Sequence, residues 1–209
     1  MVRVKICGIT NAADALAAVD AGANLLGFNF YEKSPRSVAT EEAAAIRSQL
    51  PRKVEAVGIF VNAPQVDIAA LCALLKLDAA QLHGDESPEA VAELARTVPV
   101  IKAFRAEPDF PLKMLDQYSA AFAFLFDAAN TGQYGGTGRS TDWDVARRAV
   151  KGRRIILAGG LKVENVAAAV RIVRPYGIDV ASGVESKPRK KDHVLLREFI
   201  QEVRRAERK

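Results

Sequence analysis

Short runs of β-branched and aromatic residues alternate with longer Ala- and Leu-rich stretches along the chain. The predicted strands are Arg3–Cys7, Leu25–Phe28, Ala56–Val61, Ala79–Leu82, Val100–Ala103, Phe122–Phe126, Ile155–Leu157 and Ile178–Val180. The helical patterns that follow them are Ala12–Ala21, Thr40–Leu50, Val66–Lys76, Pro88–Thr97, Phe110–Tyr118, Trp143–Val150, Val163–Val173 and Asp192–Arg205. Strands that alternate with helices indicate a parallel sheet.

The number of these units favours a closed barrel. Eight units in 209 residues leave roughly 26 residues for each, near the minimum for a barrel of this kind. We therefore predict an α/β chain that forms one (β/α)8 barrel over residues 1–209. The alternative is an open doubly wound sheet, which normally carries a Gly-rich phosphate loop after its first strand. Cys7-Gly8-Ile9-Thr10 is not such a loop.

Composition and charge limit the kinds of ligand and partner that we expect the chain to bind. The formal charge is +5, but the basic residues are scattered apart from Arg189–Lys191 and the tail 204–209, without the interleaved aromatics of single-strand binders. We expect no nucleic acid, and the basic surface suits a small anionic substrate. No apolar run reaches the roughly 18 residues of a membrane helix. Cys7 and Cys72 suggest no disulfide framework, and no export signal is visible, so we expect a cytoplasmic protein.

Polar residues and glycines follow every predicted strand. They are Cys7-Gly8, Ser34-Pro35-Arg36, Asn62, His83-Gly84, Arg105, Asp127, Gly159-Gly160 and Ser182-Gly183. Any one of them could be only a turn or a cap. In a barrel, however, the carboxyl ends of all strands meet on one face, where active sites lie. Together these residues predict an active site at that face.

Phosphate is the predicted ligand group. The loops after the seventh and eighth strands of such barrels often bind phosphate, because glycines let backbone N–H groups approach the oxygens. Gly159, Gly160, Ser182 and Gly183 occupy these two loops. This pattern predicts the ligand but not the reaction.

The predicted chemistry is proton transfer. Cys7 could act as a base or nucleophile if its pKa were lowered, and Lys5 should lie on the same side of its strand. Asp127 follows an apolar run, where burial would keep it protonated. The glycine-rich stretch 130–138 is interpreted as a loop that could close over a ligand. A nucleotide loop is the alternative, but the Lys-Ser/Thr ending is missing.

No metal or organic cofactor is predicted. The two histidines, His83 and His193, are far apart in the sequence, and no metal-ligand cluster is visible. His83, at a strand end, is interpreted either as a ligand contact or as a structural residue. His193 begins the last helix and is expected at the surface.

Several short motifs, taken in order, resemble phosphoribosylanthranilate isomerases. They are Lys5-Ile6-Cys7-Gly8-Ile9-Thr10, Gly27-Phe28-Asn29-Phe30, Ser34-Pro35-Arg36, Val57-Gly58-Ile59-Phe60-Val61-Asn62, Gln81-Leu82-His83-Gly84, Gly135-Gly136-Thr137-Gly138 with Asp142-Trp143, Leu157-Ala158-Gly159-Gly160-Leu161 and Ser182-Gly183-Val184-Glu185. The resemblance implies a (β/α)8 barrel of tryptophan biosynthesis. It also implies an Amadori rearrangement of N-(5-phosphoribosyl)anthranilate to 1-(2-carboxyphenylamino)-1-deoxyribulose 5-phosphate, without a cofactor.

The resemblance also implies roles for individual residues. Cys7 matches the general base, Asp127 the general acid, and Arg36 the partner of the anthranilate carboxylate. Gly159-Gly160 and Ser182-Gly183 match the phosphate loops. Ala181 and Arg189 depart from the family pattern, which often has Ser and Gly there, and Arg189 puts its local turn in doubt.

Two other functions remain open at this point. One is another phosphosugar barrel, either an aldose–ketose isomerase or a metal-dependent epimerase. The first typically uses carboxylates on strands one and five, whereas strand one here ends in Cys7, and the second needs a metal cluster. The other is a phosphate-ligand binder without catalytic activity. For either isomerase, the expected state is a monomer or homodimer.

Overall fold

The computed structural model describes residues 1–128 and 143–208 and contains a closed parallel barrel. Its strands are β1 Arg3–Cys7, β2 Leu25–Asn29, β3 Glu55–Phe60, β4 Ala79–Leu82, β5 Val100–Ala106, β6 Ala123–Ala128, β7 Ile155–Leu157 and β8 Gly177–Val180. Each strand pairs with the next in the sequence, and β8 pairs with β1 to close the barrel, with Arg3 opposite Gly177 and Ile6 opposite Val180. The predicted (β/α)8 barrel is confirmed.

Helices surround the barrel. They are α1 Ala12–Ala21, α2 Thr40–Arg47, α3 Gln65–Leu75, α4 Pro88–Leu94, a 3-10 helix Leu112–Tyr118, α5 Trp143–Ala149, α6 Val163–Val173 and α7 His193–Glu207. Helix α1 shows why the boundaries fall where they do, since the Asn11 side chain accepts a hydrogen bond from the Asp14 N–H and Gly22 ends the helix at φ 103°. Such caps satisfy backbone groups that the helix leaves unpaired.

The alternation of side chains along each strand creates two apolar layers. Val4, Ile6 and Leu26 point outward and pack against the helices. Val57 and Ile101 belong to a second cluster inside the barrel. Because successive residues of a strand face opposite sides, Lys5 and Cys7 share the interior side of β1. The barrel interior therefore carries polar groups directly beneath its carboxyl-terminal mouth.

Two local predictions are corrected by the structure. The segment predicted as a helix from Phe110 is a 3-10 helix that begins at Leu112, since Pro111 disfavours a helical conformation in the residue before it. Strand β6 begins at Ala123, and Phe122 is instead stacked under Arg154, whose guanidinium carbon is 4.3 Å from the ring centre.

The turn at Arg189 is retained despite the missing glycine. It joins two short strands, β9 Glu185–Lys187 and β10 Lys190–Lys191. Arg189 adopts φ 72°, which costs a non-glycine residue about 1–2 kcal/mol. Its Nη1 donates to the Ser37 carbonyl at 2.8 Å and its own carbonyl accepts from Thr10 Oγ1 at 2.9 Å. These contacts hold the strained turn in place.

The last helix ties the two ends of the chain together. Leu196 and Phe199 of α7 are fully buried. Arg204 Nη1 donates to the Val2 carbonyl at 2.6 Å, and the Val2 N–H donates to Glu207. None of the helices in the described ranges combines the length and apolarity that a membrane crossing would require.

Candidate active site

Cys7 lies at the carboxyl end of β1 in a space that two glycines leave open. A Cβ atom on Gly27 would lie 3.0 Å from the Cys7 sulfur, so any larger residue there would push the thiol aside. Gly8 adopts φ +73°, and a Cβ atom on it would lie 2.6 Å from Cδ of Arg36. The aliphatic stem of Arg36 therefore crosses Gly8 and brings the guanidinium close to the thiol.

Two ammonium groups lie near the thiol. Lys5 is 1% exposed, and its Nζ donates to Asp179 Oδ1 at 3.0 Å inside the barrel. The positive charges of Lys5 and Lys191 both favour the deprotonated form of Cys7. Although burial alone would lower it, Asp179 and Cys7 raise the pKa of Lys5, which keeps it charged.

Burial raises the pKa of Cys7 above its ordinary value, against the opposing effect of Lys5 and Lys191. The surroundings of Cys7 in the ligand-free protein therefore do not supply the lowered pKa that a basic thiol requires. Desolvation of a thiolate outweighs the attraction of the two ammonium groups. In the ligand-free protein Cys7 is a thiol. A thiolate formed at this position would lie near two ammonium groups.

Arg36 is held by a carboxylate that the sequence did not single out. Its Nε and Nη2 donate to the two oxygens of Glu185 at 2.9 and 2.7 Å, and Lys191 Nζ donates to Glu185 Oε1 at 2.9 Å. Although burial alone would raise it, Arg36 and Lys191 hold the pKa of Glu185 below its usual value. Glu185 therefore fixes the orientation of the Arg36 guanidinium and leaves its Nη1 side facing away from this pair.

A second polar group lies across the mouth from β1, on β4 and β6. His83 Nε2 is 3.4 Å from Asp127 Oδ2, and Asp127 is 8% exposed. His83 Nδ1 is 3.1 Å from Nε2 of Gln81, which is buried below it in the same strand-to-loop segment. The structure thus brings together His83 and Asp127, two of the predicted site residues.

A buried ion pair fixes the loop that carries His83. Lys102 Nζ donates to the Gly84 carbonyl at 2.8 Å and to Glu86 Oε2 at 3.0 Å. Glu86 in turn accepts from the N–H groups of Asn62 and Gly84. Burial lowers the pKa of Lys102, although Glu86 opposes this shift. The backbone on both sides of His83 therefore has little freedom to move.

The predicted phosphate loops lie side by side after β7 and β8. Gly159 and Gly160 adopt φ 81° and 65°, which is the region that favours glycine. A Cβ atom on Gly183 would lie 1.9 Å from the Leu161 carbonyl oxygen. The loops are thus in direct backbone contact, and Ser182–Val184 begins a helical turn whose first N–H groups have no partner within it.

The family comparison agrees with this arrangement. The family model described as N-(5'phosphoribosyl)anthranilate (PRA) isomerase matches residues 4–202. The chain belongs to the N-(5'-phosphoribosyl)anthranilate isomerase family. An N-(5'-phosphoribosyl)anthranilate isomerase of Pelobacter propionicus is 52% identical over 200 residues, which cover 96% of this chain and 94% of that protein.

Solved structures of phosphoribosylanthranilate isomerases share the fold over nearly the whole length. The Thermotoga maritima enzyme is 41% identical with a TM-score of 0.91, covering 98% of this chain and 99% of that one. Another, in complex with reduced 1-(o-carboxyphenylamino)-1-deoxyribulose 5-phosphate, is 38% identical with a TM-score of 0.88 and the same two coverages. The family and the enzyme class predicted from the sequence are confirmed.

Within this family member, the predicted site residues all lie at the carboxyl-terminal mouth of the barrel. Sequence reasoning missed the roles of Gln81, Asp179, Glu185 and Lys191. One signal was available for Gln81 and Asp179, since each is a polar residue at an interior position of an otherwise apolar strand. The stretch 130–138 and Asp142 lie outside the described residues. His193 is exposed as expected and pairs with Asp14 at 2.8 Å.

Proposed function

We propose that this chain isomerises N-(5'-phosphoribosyl)anthranilate to 1-(2-carboxyphenylamino)-1-deoxyribulose 5-phosphate in tryptophan biosynthesis, with Cys7 as general base and Asp127 as general acid. The observation that carries the proposal is the order of groups around the barrel. Asp127 on β6 and Cys7 on β1 flank the two loops after β7 and β8. A substrate whose phosphate binds these loops places its ribose between the acid and the base.

The proposed reaction begins with a proton transfer from Asp127. The Asp127 carboxyl protonates the furanose ring oxygen, the bond from this oxygen to C1 breaks, and the nitrogen lone pair forms the C=N bond of an iminium ion. The Cys7 thiolate then removes the proton from C2, the electrons of that C–H bond form a C1=C2 double bond, and the π electrons of the C=N bond return to the nitrogen as its lone pair. The resulting enol becomes the ketone when C1 gains a proton and the C2 hydroxyl loses one.

Cys7 must become a thiolate for the second step. The iminium ion that forms beside it is a further positive charge, which adds to those of Lys5 and Lys191 and favours the deprotonated sulfur. The base is then strongest when the ring-opened intermediate is present. This order matches the reaction, in which the proton on C2 becomes acidic only after ring opening.

The phosphate and the anthranilate ring are proposed to bind at opposite sides of the ribose. Backbone N–H groups near Gly159, Gly160, Ser182 and Gly183 are the proposed phosphate donors. Arg36, beyond β2, is proposed to bind the anthranilate carboxylate through the Nη1 side of its guanidinium, since Glu185 occupies the other side. His83 is proposed to contact the substrate region through Asp127.

The substitution Arg36→Ala should raise KM for N-(5'-phosphoribosyl)anthranilate by about ten- to a hundredfold, because a hydrogen bond to a charged group contributes about 1.5–3 kcal/mol. Arg36→Lys should restore only part of the loss, since an ammonium lacks the planar fork. Steady-state kinetics measures both. The matched control is Arg47→Ala, which removes an arginine paired with Asp78 at 3.2 Å outside the site. An unchanged kcat/KM in folded Arg36→Ala would remove Arg36 from the site.

Turnover decides between this enzyme and a phosphate binder without activity. The purified chain, treated with a chelator, should convert N-(5'-phosphoribosyl)anthranilate with saturation kinetics, and inorganic phosphate should compete with the substrate. The loss of the substrate's fluorescence or absorbance measures the rate. Binding of the substrate without conversion would contradict the proposed activity and leave only the ligand site.

The remaining expectations stay predictions. They are a cytoplasmic location, a monomeric or homodimeric state, a single catalytic domain over residues 1–209, and no nucleic-acid or membrane partner.

A further inference from the structure

Gln81 is a buried polar residue that the proposed reaction does not use. It is 1% exposed and lies in β4, on the interior side of the barrel with His83. Its Nε2 is 3.1 Å from His83 Nδ1. Its Oε1 is buried and has no hydrogen-bond partner among the described residues. Both polar atoms of the Gln81 side chain are therefore away from solvent, and one of them contacts a histidine at the active site.

The contact restricts where the imidazole carries its proton. The Nε2 group of an amide can donate hydrogen bonds but cannot accept them. With the Gln81 amide in this orientation, His83 Nδ1 is the acceptor and carries no proton, so the imidazole has a single ring proton. The one ring proton lies on Nε2, the atom that is 3.4 Å from Asp127 Oδ2.

We propose that Gln81 is a positioning residue that holds His83 as the neutral Nε2–H tautomer, so that His83 donates to Asp127 after Asp127 has given its proton to the substrate. The inference rests on the proposed role of Asp127 as general acid and deepens it. A carboxylate formed at Asp127, which is 8% exposed, needs a donor that is already in place. The Nε2–H of His83 is such a donor.

The neutral state of the imidazole is as important as its orientation. An imidazolium next to Asp127 would stabilise the carboxylate before the reaction and so remove the proton that ring opening requires. The Nδ1–H tautomer would instead direct the lone pair of Nε2 at Asp127, where it would compete with the substrate for the proton of Asp127. A neutral amide at Nδ1 disfavours both states.

The charged groups around His83 are arranged on three elements. Asp127 faces it from β6, and Arg105 of β5 is the register partner of Asp127. The Lys102–Glu86 pair holds the carbonyl groups of Leu82 and Gly84 on either side of it. These groups determine the electric field at the imidazole, whereas Gln81 determines which ring nitrogen carries the proton.

Imidazole nitrogen NMR on the full chain tests the tautomer directly. The chain contains two histidines, so ¹⁵N–¹H correlation spectra of wild type and His193→Gln assign both rings. We expect His83 to show a protonated Nε2 and an unprotonated Nδ1. In Gln81→Glu the carboxylate should move a proton to Nδ1 and produce imidazolium, and in Gln81→Met both tautomers should appear. A wild-type His83 protonated at Nδ1, which would correspond to a reversed amide, would overturn the proposal.

Kinetics supplies the second readout. Gln81→Glu should lower kcat at neutral pH at least about tenfold, the effect of about 1.4 kcal/mol, with KM changed by less than about threefold. The ratio of its kcat to that of wild type should rise with pH, as the imidazolium loses its proton. Gln81→Met should lower kcat with a constant ratio across pH, and exposed Gln201→Glu, which adds the same charge on α7, should leave kcat unchanged.

The Gln81 variants test the role of Gln81, whereas Asp127→Asn tests the proposed general acid. If Gln81→Glu does not fold, the tautomer mixture and pH-independent loss in Gln81→Met still test it. Equal activity of Gln81→Met and wild type would overturn it. If Asp127→Asn is fully active, the proposed acid is wrong, whereas the NMR result on His83 is unaffected.

Discussion

Cys7→Ser is expected to lower kcat by at least about a hundredfold, the lower end of a general-base contribution, and to leave the protein folded. The change is nearly isosteric, but a hydroxyl is a far weaker acid than a thiol, so Lys5 and Lys191 cannot produce a useful concentration of its anion. With substrate deuterated at C2, the residual activity should show a primary isotope effect, because the weakened base makes proton removal limiting. Near-normal turnover in folded Cys7→Ser would remove the thiol from the mechanism.

The pH dependence of the same residue follows from its surroundings. Because burial raises the pKa of Cys7, alkylation of the ligand-free enzyme by iodoacetamide should accelerate with pH up to and beyond the ordinary thiol value of about 8.5. Cys72 serves as an internal reference, since burial raises its pKa to about 11. An alkylation rate of Cys7 that reaches its plateau below pH 7 would contradict a raised pKa.

Asp127→Asn should also lower kcat by at least about a hundredfold, for a different reason. An amide matches the shape of the carboxyl group but cannot deliver a proton to the ring oxygen, so the furanose stays closed. Binding of reduced 1-(o-carboxyphenylamino)-1-deoxyribulose 5-phosphate, which has no furanose ring, should change by less than about threefold. Calorimetry measures this affinity alongside the rate.

The control for the acid is a second aspartate far from the mouth. Asp116→Asn removes a carboxylate that pairs with Arg153 at 2.6 Å and is 64% exposed, and it should leave kcat unchanged. If Asp127→Asn loses affinity for the ring-opened analogue as much as it loses rate, Asp127 is a binding residue and the acid must be sought elsewhere at the mouth.

The fold was predictable from the sequence because its signals are local. The period-two strand at Arg3–Cys7 and the helix at Val163–Val173 have the predicted bounds. The location of the strand-end residues was predictable as well, since barrel topology places the ends of all strands on one face independently of side-chain packing. The helix predicted over Phe110–Tyr118 is a 3-10 helix over Leu112–Tyr118. A proline N-cap does not predict this type, since Pro64 precedes the α-helix Gln65–Leu75.

The partners of the site residues were not predictable in this way. Asp179 and Glu185 contact Lys5 and Arg36, respectively, across about 150 residues or more of sequence. No local pattern encodes such a pairing. The direction of the Cys7 pKa shift could not be predicted either, since Lys5 is visible in the sequence whereas the extent of burial depends on the closed barrel. The Gln81–His83 contact spans only two residues, but its meaning required the position of Asp127.

Closure of the barrel between its first and last strands also sets an order of events during synthesis. Cys7 leaves the ribosome well before Asp179, Glu185 and Lys191, which supply the charges around it. Domains fold as units during translation, and β1 cannot find β8 before β8 exists. A growing chain therefore carries the thiol without its neighbouring charges. A chain that stops short of Lys191 is therefore expected to lack isomerase activity, since neither the buried thiol nor its neighbouring charges are in place.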